Sequence, residues 1–262
     1  MVRAGRTRLD QLLVQRSLAP SREKAQALIL AGVVRVDGEV ADRAAAPVAD
    51  GSVVTVSQGP RFVSRGGEKL DAALDDLGID VSGKVVLDVG ASTGGFTDCV
   101  LQRGALRVYA IDVGKGQLDW RLRTDARVTS REGVNAREGF PLPEAVDLIV
   151  ADLSFISLRV ALLPSFRHLR EGGDVIALVK PQFEAGRHAV GPGGIVRDPR
   201  DRAAAVVAVC EAFTAVGLGC VAIVTSRLPG REGNIEIFVH CRNGDAGLPP
   251  GRIRERAAEA AE

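Results

Sequence analysis

Of the 34 basic residues in this 262-residue chain, only five are lysines: Lys24, Lys69, Lys84, Lys115 and Lys180. Arginine serves wherever positive charge is enough, but its guanidinium holds its proton to a pKa above about 12. An amine can give its proton up. A chain that has turned most basic positions into arginine therefore marks its surviving lysines as candidates for acid–base chemistry. Lys180 ends the apolar run Ala177-Leu178-Val179, and Asp152 ends Val150-Ala151. Glu236 lies in Gly233-Asn234-Ile235-Glu236-Ile237, two residues beyond Asn234 and so on the same side of a strand. Lys69 sits on a helical stretch leading into these strands. A buried lysine is costly unless paired, and the fold could bring both carboxylates to the amines. Lys69, Asp152, Lys180 and Glu236 thus read as one set, in which a neutral amine oriented by carboxylates could take a proton from a hydroxyl.

A second motif lies upstream. Val85-Val86-Leu87-Asp88-Val89-Gly90-Ala91-Ser92-Thr93-Gly94-Gly95-Phe96 runs an apolar strand into a glycine-rich turn and then a helix. Gly90 and Gly94 would let a ligand approach the backbone with no Cβ in the way. Asp88 can fix the loop or receive a cationic group. The spacing fits neither a GxGxxG fingerprint nor a P-loop, since no GK[ST] follows. It resembles the cofactor loop of S-adenosylmethionine-dependent methyltransferases, with Gly90, Ser92, Thr93, Gly94, Gly95 and Phe96 as the lining. The next strand ends at Asp112, where a carboxylate can accept both ribose hydroxyls of an adenosine. Val113, beside it, and Asn135, after a third strand-like stretch, are candidates for the adenine side. Asn135 reads equally well as a turn residue.

These residues need elements to hold them. Apolar runs predict strands at Val85–Val89, Arg107–Ile111, Leu148–Ala151, Val175–Val179, Val221–Thr225 and Glu236–His240. Helical spacing predicts Gly95–Arg103, Leu158–Leu169 and Arg200–Val216, with a further helix at Glu68–Leu77. Alternation of this kind implies a mostly parallel sheet covered on both faces. The last two strands, with no helix between them, read as an antiparallel pair. Residues 1–57 form a separate small unit. Leu9, Leu12 and Leu13 recur at helical spacing, Ser21 can cap a second helix, and Asp37-Gly38 marks a hairpin. Gln58-Gly59-Pro60 opens a linker over 58–67, the main domain spans 68–242, and 243–262 is expected to be a flexible tail.

Net charge is +1, from 34 Lys plus Arg against 33 Asp plus Glu, which excludes a uniformly basic nucleic-acid coat but not a basic face. No apolar run approaches the roughly 20 residues that span a bilayer. The first ten residues, MVRAGRTRLD, lack the apolar core of a signal peptide, so a cytoplasmic protein without membrane association is expected. Cys99, Cys210, Cys220 and Cys241 form no CxxC pair and lie among apolar neighbours, which predicts buried reduced thiols and no metal.

The chain resembles known families at both ends. Arg8-Leu9-Asp10, Ser21-Arg22, Ala25, Ile29 and Gly32 to Gly38 resemble the S4 RNA-binding domain, which presents arginines to structured RNA. The candidate RNA contacts are Arg6, Arg8, Arg22, Lys24 and Arg35, with Arg65 in the linker. The set Lys69, Asp152, Lys180 and Glu236 resembles the K-D-K-E tetrad of ribose 2′-O-methyltransferases of the RrmJ/FtsJ class. SRGGEKL, LDVGASTGGFTD, DVGKGQL, ADLSFISL, VKPQFE, VGPGGIVRDP and GNIE resemble the TlyA, or hemolysin-A-like, rRNA 2′-O-methyltransferases. One departure is Phe62, where that family often has Trp. The resemblance implies an α/β fold, a Rossmann-like class I methyltransferase. Its seven-stranded sheet would be mostly parallel with an antiparallel last strand, behind a small α+β S4-like domain. It implies S-adenosylmethionine as cofactor, and as partner the cytidine ribose hydroxyls of 16S or 23S rRNA, or both, in 30S or 50S subunits, or both. It implies catalysis by Lys69, Asp152, Lys180 and Glu236 in a monomer. An S4-bearing pseudouridine synthase would lack the cofactor loop. A non-catalytic assembly factor would not need the tetrad, and a pore-forming hemolysin would need membrane-length segments.

Overall fold

A computed structural model describes residues 5–57, 60–230 and 232–262. Two compact units divide the chain at Arg61/Phe62. The first holds strand β1 (Arg6–Arg8), helices α1 (Leu9–Gln15) and α2 (Arg22–Leu30), and strands β2 (Val34–Val36), β3 (Glu39–Val40), β4 (Pro47–Ala49) and β5 (Val54–Val56). Ser21 caps α2 by accepting from the Lys24 amide at 3.2 Å. Asp37 and Gly38 both take positive φ, 51° and 90°, as a two-residue hairpin turn demands, and β2 and β3 pair across it. Leu9, Leu12, Leu13, Ala25, Ile29 and Val34 close a small core. The β1–β4 pairing was not visible as an apolar run.

The second unit begins with α3 (Arg65–Leu77), followed by β6 (Val85–Val89), α4 (Gly95–Gln102), β7 (Arg107–Asp112), α5 (Trp120–Arg123), β8 (Val128–Glu132) and β9 (Val146–Ala151). Then come α6 (Leu158–Ala161), β10 (Leu169–Val179), α7 (Pro181–Glu184), α8 (Pro199–Thr214), β11 (Leu218–Thr225), β12 (Ile237–Asn243) and α9 (Pro250–Ala261). Seven strands form one sheet in the order β11-β12-β10-β9-β6-β7-β8. Among these seven, β12 alone runs opposite to the other six. The chain starts in the centre at β6, moves out through β7 and β8, then returns to β9 on the other side. That reversal opens a crevice at the carboxyl ends of β6 and β9, where such sheets bind ligands.

The strands read as continuous apolar runs because both faces are covered. Leu87, Val89, Ile149 and Val239 face α8 and α9, while Val86, Leu148, Ile176 and Phe238 face α3 and α4. All four cysteines are buried and unbridged. The expected helix over 158–169 is a single turn, α6, followed by a 3-10 segment at Leu163–His168. Pro164 lacks the amide that an α-helix would need there.

Two expectations about the ends of the main domain are corrected. The linker is shorter than 58–67. Phe62 is buried in the second unit's core, Ser64 is the N-cap of α3, and the helix starts at Arg65. Gln58 and Gly59 lie outside the described residues. The flexible tail is also overturned: β12 extends to Asn243, and α9 buries Ile253, Ala257, Ala260 and Ala261. These positions form one helical stripe, made mostly of alanine, whose small side chains hide it from hydropathy. Arg202 fastens the end of α9 by donating from Nε to the Ala261 carbonyl at 2.7 Å.

Candidate active site

The glycine loop follows β6 as expected. Gly90 and Gly94 take φ of 84° and 97°. A Cβ on Gly90 would lie 2.6 Å from Leu153, and one on Gly94 would lie 2.2 Å from Leu122, so neither tolerates a side chain. Ser92 and Thr93 are exposed at the tip, and Gly95 and Phe96 begin α4. Phe96 differs from expectation: its ring is buried and stacks on Phe238 at 6.2 Å, so it offers a ligand only the backbone of the first helical turn. Gly67 of α3 meets the start of α4 so closely that a Cβ would lie 2.9 Å from the Gly95 carbonyl and 2.4 Å from Phe62. This contact explains the second glycine of SRGGEKL, and it sets α3, with Lys69, against the loop.

Asp112 ends β7, and its two oxygens accept from the amides of Ser92 at 2.7 Å and Gly114 at 2.6 Å. Each oxygen keeps a second lone pair for a ligand hydroxyl. Val113 is exposed beside it. Asn135 caps a short 3-10 turn, accepting from the Arg137 amide and donating to Glu138, so its side chain is engaged as a turn residue.

Asp88 is completely buried. Thr97 donates to its Oδ2 at 2.6 Å, while Oδ1 has no partner. Burial pushes its carboxyl up to about 7, against the Thr97 hydrogen bond and with help from the negative charges of Asp152 and Asp112. Three carboxylates thus converge beyond β6, β7 and β9, and one carries an unpartnered oxygen. A cationic ligand with ribose hydroxyls suits this set, and S-adenosylmethionine has a sulfonium, an ammonium and a ribose.

The tetrad resolves into two ion pairs. Lys69 donates to Glu236 Oε2 at 2.5 Å, and both side chains are buried. Lys180 Nζ lies 2.6 Å from Asp152 Oδ1, a charge contact whose angle falls short of a hydrogen bond, and donates to Ser154 Oγ at 2.8 Å. Glu236 precedes β12, and its carbonyl accepts from the Ser226 amide. Asn234 turns elsewhere: it accepts from the Val196 amide and donates to the Gly194 carbonyl, stapling the loop before α8.

Three side chains at this edge lie inside the motifs ADLSFISL and VKPQFE, but residue type and spacing assigned them no role. Ser154 touches Lys180. Glu184, four residues beyond Lys180, accepts from Ser157 Oγ and the Leu158 amide, each at 2.6 Å, and from Arg159. Phe155 is 91% exposed at φ 65°, with its ring 5.3 Å from that of Phe183. An exposed aromatic on a strained backbone next to a lysine–aspartate pair is a signal only in three dimensions.

In the first unit, Arg8 and Arg22 converge on Asp10. Asp10 is fully buried and accepts from Arg8 Nε and NH2, Arg22 Nε and Gln26 Nε2, at 2.9 to 3.1 Å. The Arg8 hydrogen bond, with help from Arg22 and Gln26, holds its carboxyl well below the usual range despite burial. Both guanidinium groups stay about half exposed. Arg6 and Lys24 are exposed, and Arg35 donates to the Gly38 carbonyl. Arg65, at the start of α3, donates to the Pro229 carbonyl.

Residues 62–243 match the FtsJ-like methyltransferase family, and residues 7–54 match the S4 domain. The chain is 48% identical over 243 residues to the 16S/23S rRNA (cytidine-2′-O)-methyltransferase TlyA of Mycobacterium tuberculosis, with 91% of each chain covered. It is 42% identical over 237 residues to Hemolysin A of Brachyspira hyodysenteriae, covering 89% of this chain and 98% of that one. A solved structure of a hemolysin-like protein from Streptococcus thermophilus aligns with a TM-score of 0.73 at 38% identity, covering 98% of this chain and 96% of that one. With a doubly wound sheet, a glycine loop at its switch point and an S4 domain in front, this chain belongs to the FtsJ-like methyltransferases of the TlyA type.

Proposed function

We propose that this protein methylates the ribose 2′-hydroxyl of cytidine in ribosomal RNA, 16S, 23S or both, within ribosomal subunits in the cytoplasm. The observation that carries the reading is the pair of lysine–carboxylate contacts, Lys180–Asp152 and Lys69–Glu236, beside the glycine loop. The relative at 48% identity is named for this reaction. When bound, S-adenosylmethionine supplies an electrophilic methyl group. Asp112 and the loop from Gly90 to Gly95 would hold it, with Val113 beside them and Asp88 and Asp152 providing negative charge.

The chain's own residues then handle the proton and the position of the hydroxyl. Lys180 Nζ accepts the hydroxyl proton, and Asp152 orients the amine. Lys69, fixed by Glu236, keeps a second positive charge behind the loop. In-line placement of the oxygen supplies much of the remaining rate. Phe155 offers a face on which an unstacked base can rest. Arg8 and Arg22, set on Asp10, face phosphates, with Arg6, Lys24, Arg35 and Arg65 adding charge. The protein works as a monomer without metal.

Ribose methylation of both rRNAs is mapped in cells with and without the gene. The expected result is a cytidine methyl group lost on deletion and restored by the wild-type gene but not by Lys180→Ala. An unchanged map in the deletion strain rejects the reading. Restoration by Lys180→Ala would point instead to a non-catalytic role in ribosome assembly.

A further inference from the structure

We propose that Ser154 is a positioning residue for methyl transfer, acting as the second anchor that fixes the direction of the Lys180 amine. The inference rests on the proton-acceptor reading of Lys180. A neutral amine carries two N–H bonds and one lone pair. Lys180 Nζ has two oxygens close to it: Asp152 Oδ1 at 2.6 Å and Ser154 Oγ at 2.8 Å. With one oxygen alone, one N–H bond is placed and the lone pair can exchange with the second N–H between the two remaining positions about Cε–Nζ. The Ser154 hydrogen bond takes one N–H bond, and the charge contact with Asp152 draws the other to its side, so the lone pair of the neutral amine is left as the remaining valence. The Lys180 side chain is only 12% exposed, so the amine has little room to reorient. In the step itself the substrate O–H bond breaks and its electron pair stays on oxygen. The proton joins the Nζ lone pair, giving an ammonium whose other two N–H bonds are already placed.

The loop that carries Ser154 is built to hold it still. It leaves β9 at Ala151, and Phe155 takes a positive φ, a conformation that persists only where neighbours dictate it. Glu184 and Arg159 are those neighbours. Glu184, one turn beyond Lys180, is buried and accepts from Ser157 Oγ and the Leu158 amide. Arg159 closes the loop by donating to the Glu184 side chain and carbonyl. The 152–159 loop is therefore tied to the Lys180–Glu184 segment at both ends, once by Ser154 and once by Glu184. A surface serine that only filled space would need no such bracing.

The test is single-turnover methyl transfer from labelled S-adenosylmethionine to purified ribosomal subunits, with cofactor and subunit affinities measured separately. Ser154→Ala, Ser154→Thr and Lys180→Ala are compared with wild type. Ser154 is exposed, so alanine leaves the fold intact. The expected result for Ser154→Ala is a transfer rate lower by on the order of tenfold or more, with both affinities unchanged. Ser154→Thr, which keeps the hydroxyl, should recover most of the rate. A Ser154→Ala rate within about twofold of wild type, beside an inactive Lys180→Ala, would overturn the positioning role and leave the base assignment standing. Equal losses in Ser154→Ala and Ser154→Thr would also overturn it, because loop shape and not the hydroxyl would then matter. Full activity in Lys180→Ala would remove the reading beneath it.

Discussion

Lys180 is proposed to contribute what charge alone cannot: a nitrogen that can give up and take a proton. It lies between Asp152 and Ser154 at the end of a buried strand, in a chain with few other lysines. Lys180→Arg keeps the cation and could still pair with Asp152, but it offers no neutral nitrogen at any usable pH. Lys180→Arg should therefore be as inactive in single-turnover transfer as Lys180→Ala, with cofactor affinity retained. Lys69→Arg should be milder, because its partner Glu236 can hold a guanidinium. Near-normal transfer by Lys180→Arg would leave Lys180 as a positioning cation only. Asp112 makes a binding prediction at the same scale. Asp112→Ala removes the proposed ribose acceptor and releases the Ser92 and Gly114 amides, so S-adenosylmethionine should bind more weakly by about 1–3 kcal/mol. Calorimetry showing unchanged affinity would remove Asp112 from the cofactor site. The lysines, the strand-end acids and the glycine loop could all be read from residue type and position. Ser154, Glu184 and Phe155 could not, because each matters through a neighbour that is distant in sequence.

Among the elements, the central strands were legible because burial on both faces writes an unbroken apolar run. Edge strand β8, half-buried and polar, and α9, with its alanine stripe, lacked that signature. The end of the sheet opposite the crevice shows what else pairing can do. Asp174 of β10 is buried against His240 at 2.9 Å and Arg242 at 3.0 Å, both on β12, and against Lys84 at 3.2 Å, just before β6. Burial alone would raise its carboxyl pKa. The hydrogen bonds from His240, Lys84 and Arg242 outweigh that and hold it down at about 2. A carboxyl with a folded pKa below its unfolded value contributes stability above the unfolded pKa and loses it as pH falls through the folded one. The window therefore runs from about pH 4 down to about pH 2, and the contribution lost is roughly 2 kcal/mol. Denaturant unfolding of Asp174→Asn should show a shallower loss of stability across that window than wild type. An identical slope in the two proteins would mean that Asp174 titrates normally in the fold.

At the scale of the molecule, the proposed chemistry and the proposed RNA capture fall to separate cores. The first unit has its own hydrophobic cluster around Leu9, Leu13 and Ile29, and its exposed Arg8 and Arg22 are set by a buried acid. The second unit carries two clusters on either face of its sheet, together with the glycine loop and both lysine–carboxylate contacts. Part of this division was legible in advance: a basic helix pair and hairpin precede a punctuated stretch, and the strand–helix alternation follows it. The boundary itself was displaced, because Phe62 reads as linker in sequence but fills the space that Gly67 leaves open. A cut before Phe62 should therefore leave the methyltransferase core whole, whereas a cut after residue 67 would remove part of it. The protein lacking residues 1–61 is expected to fold, to bind S-adenosylmethionine with wild-type affinity, and to lose methylation of ribosomal subunits. The loss should appear in subunit affinity and should narrow as salt rises, since the arginine–phosphate contacts that the truncation removes are those that salt screens in the full chain. Full-rate methylation of subunits by the truncated chain would show that the first unit is dispensable for RNA capture, while loss of cofactor binding would show that the two cores are not independent.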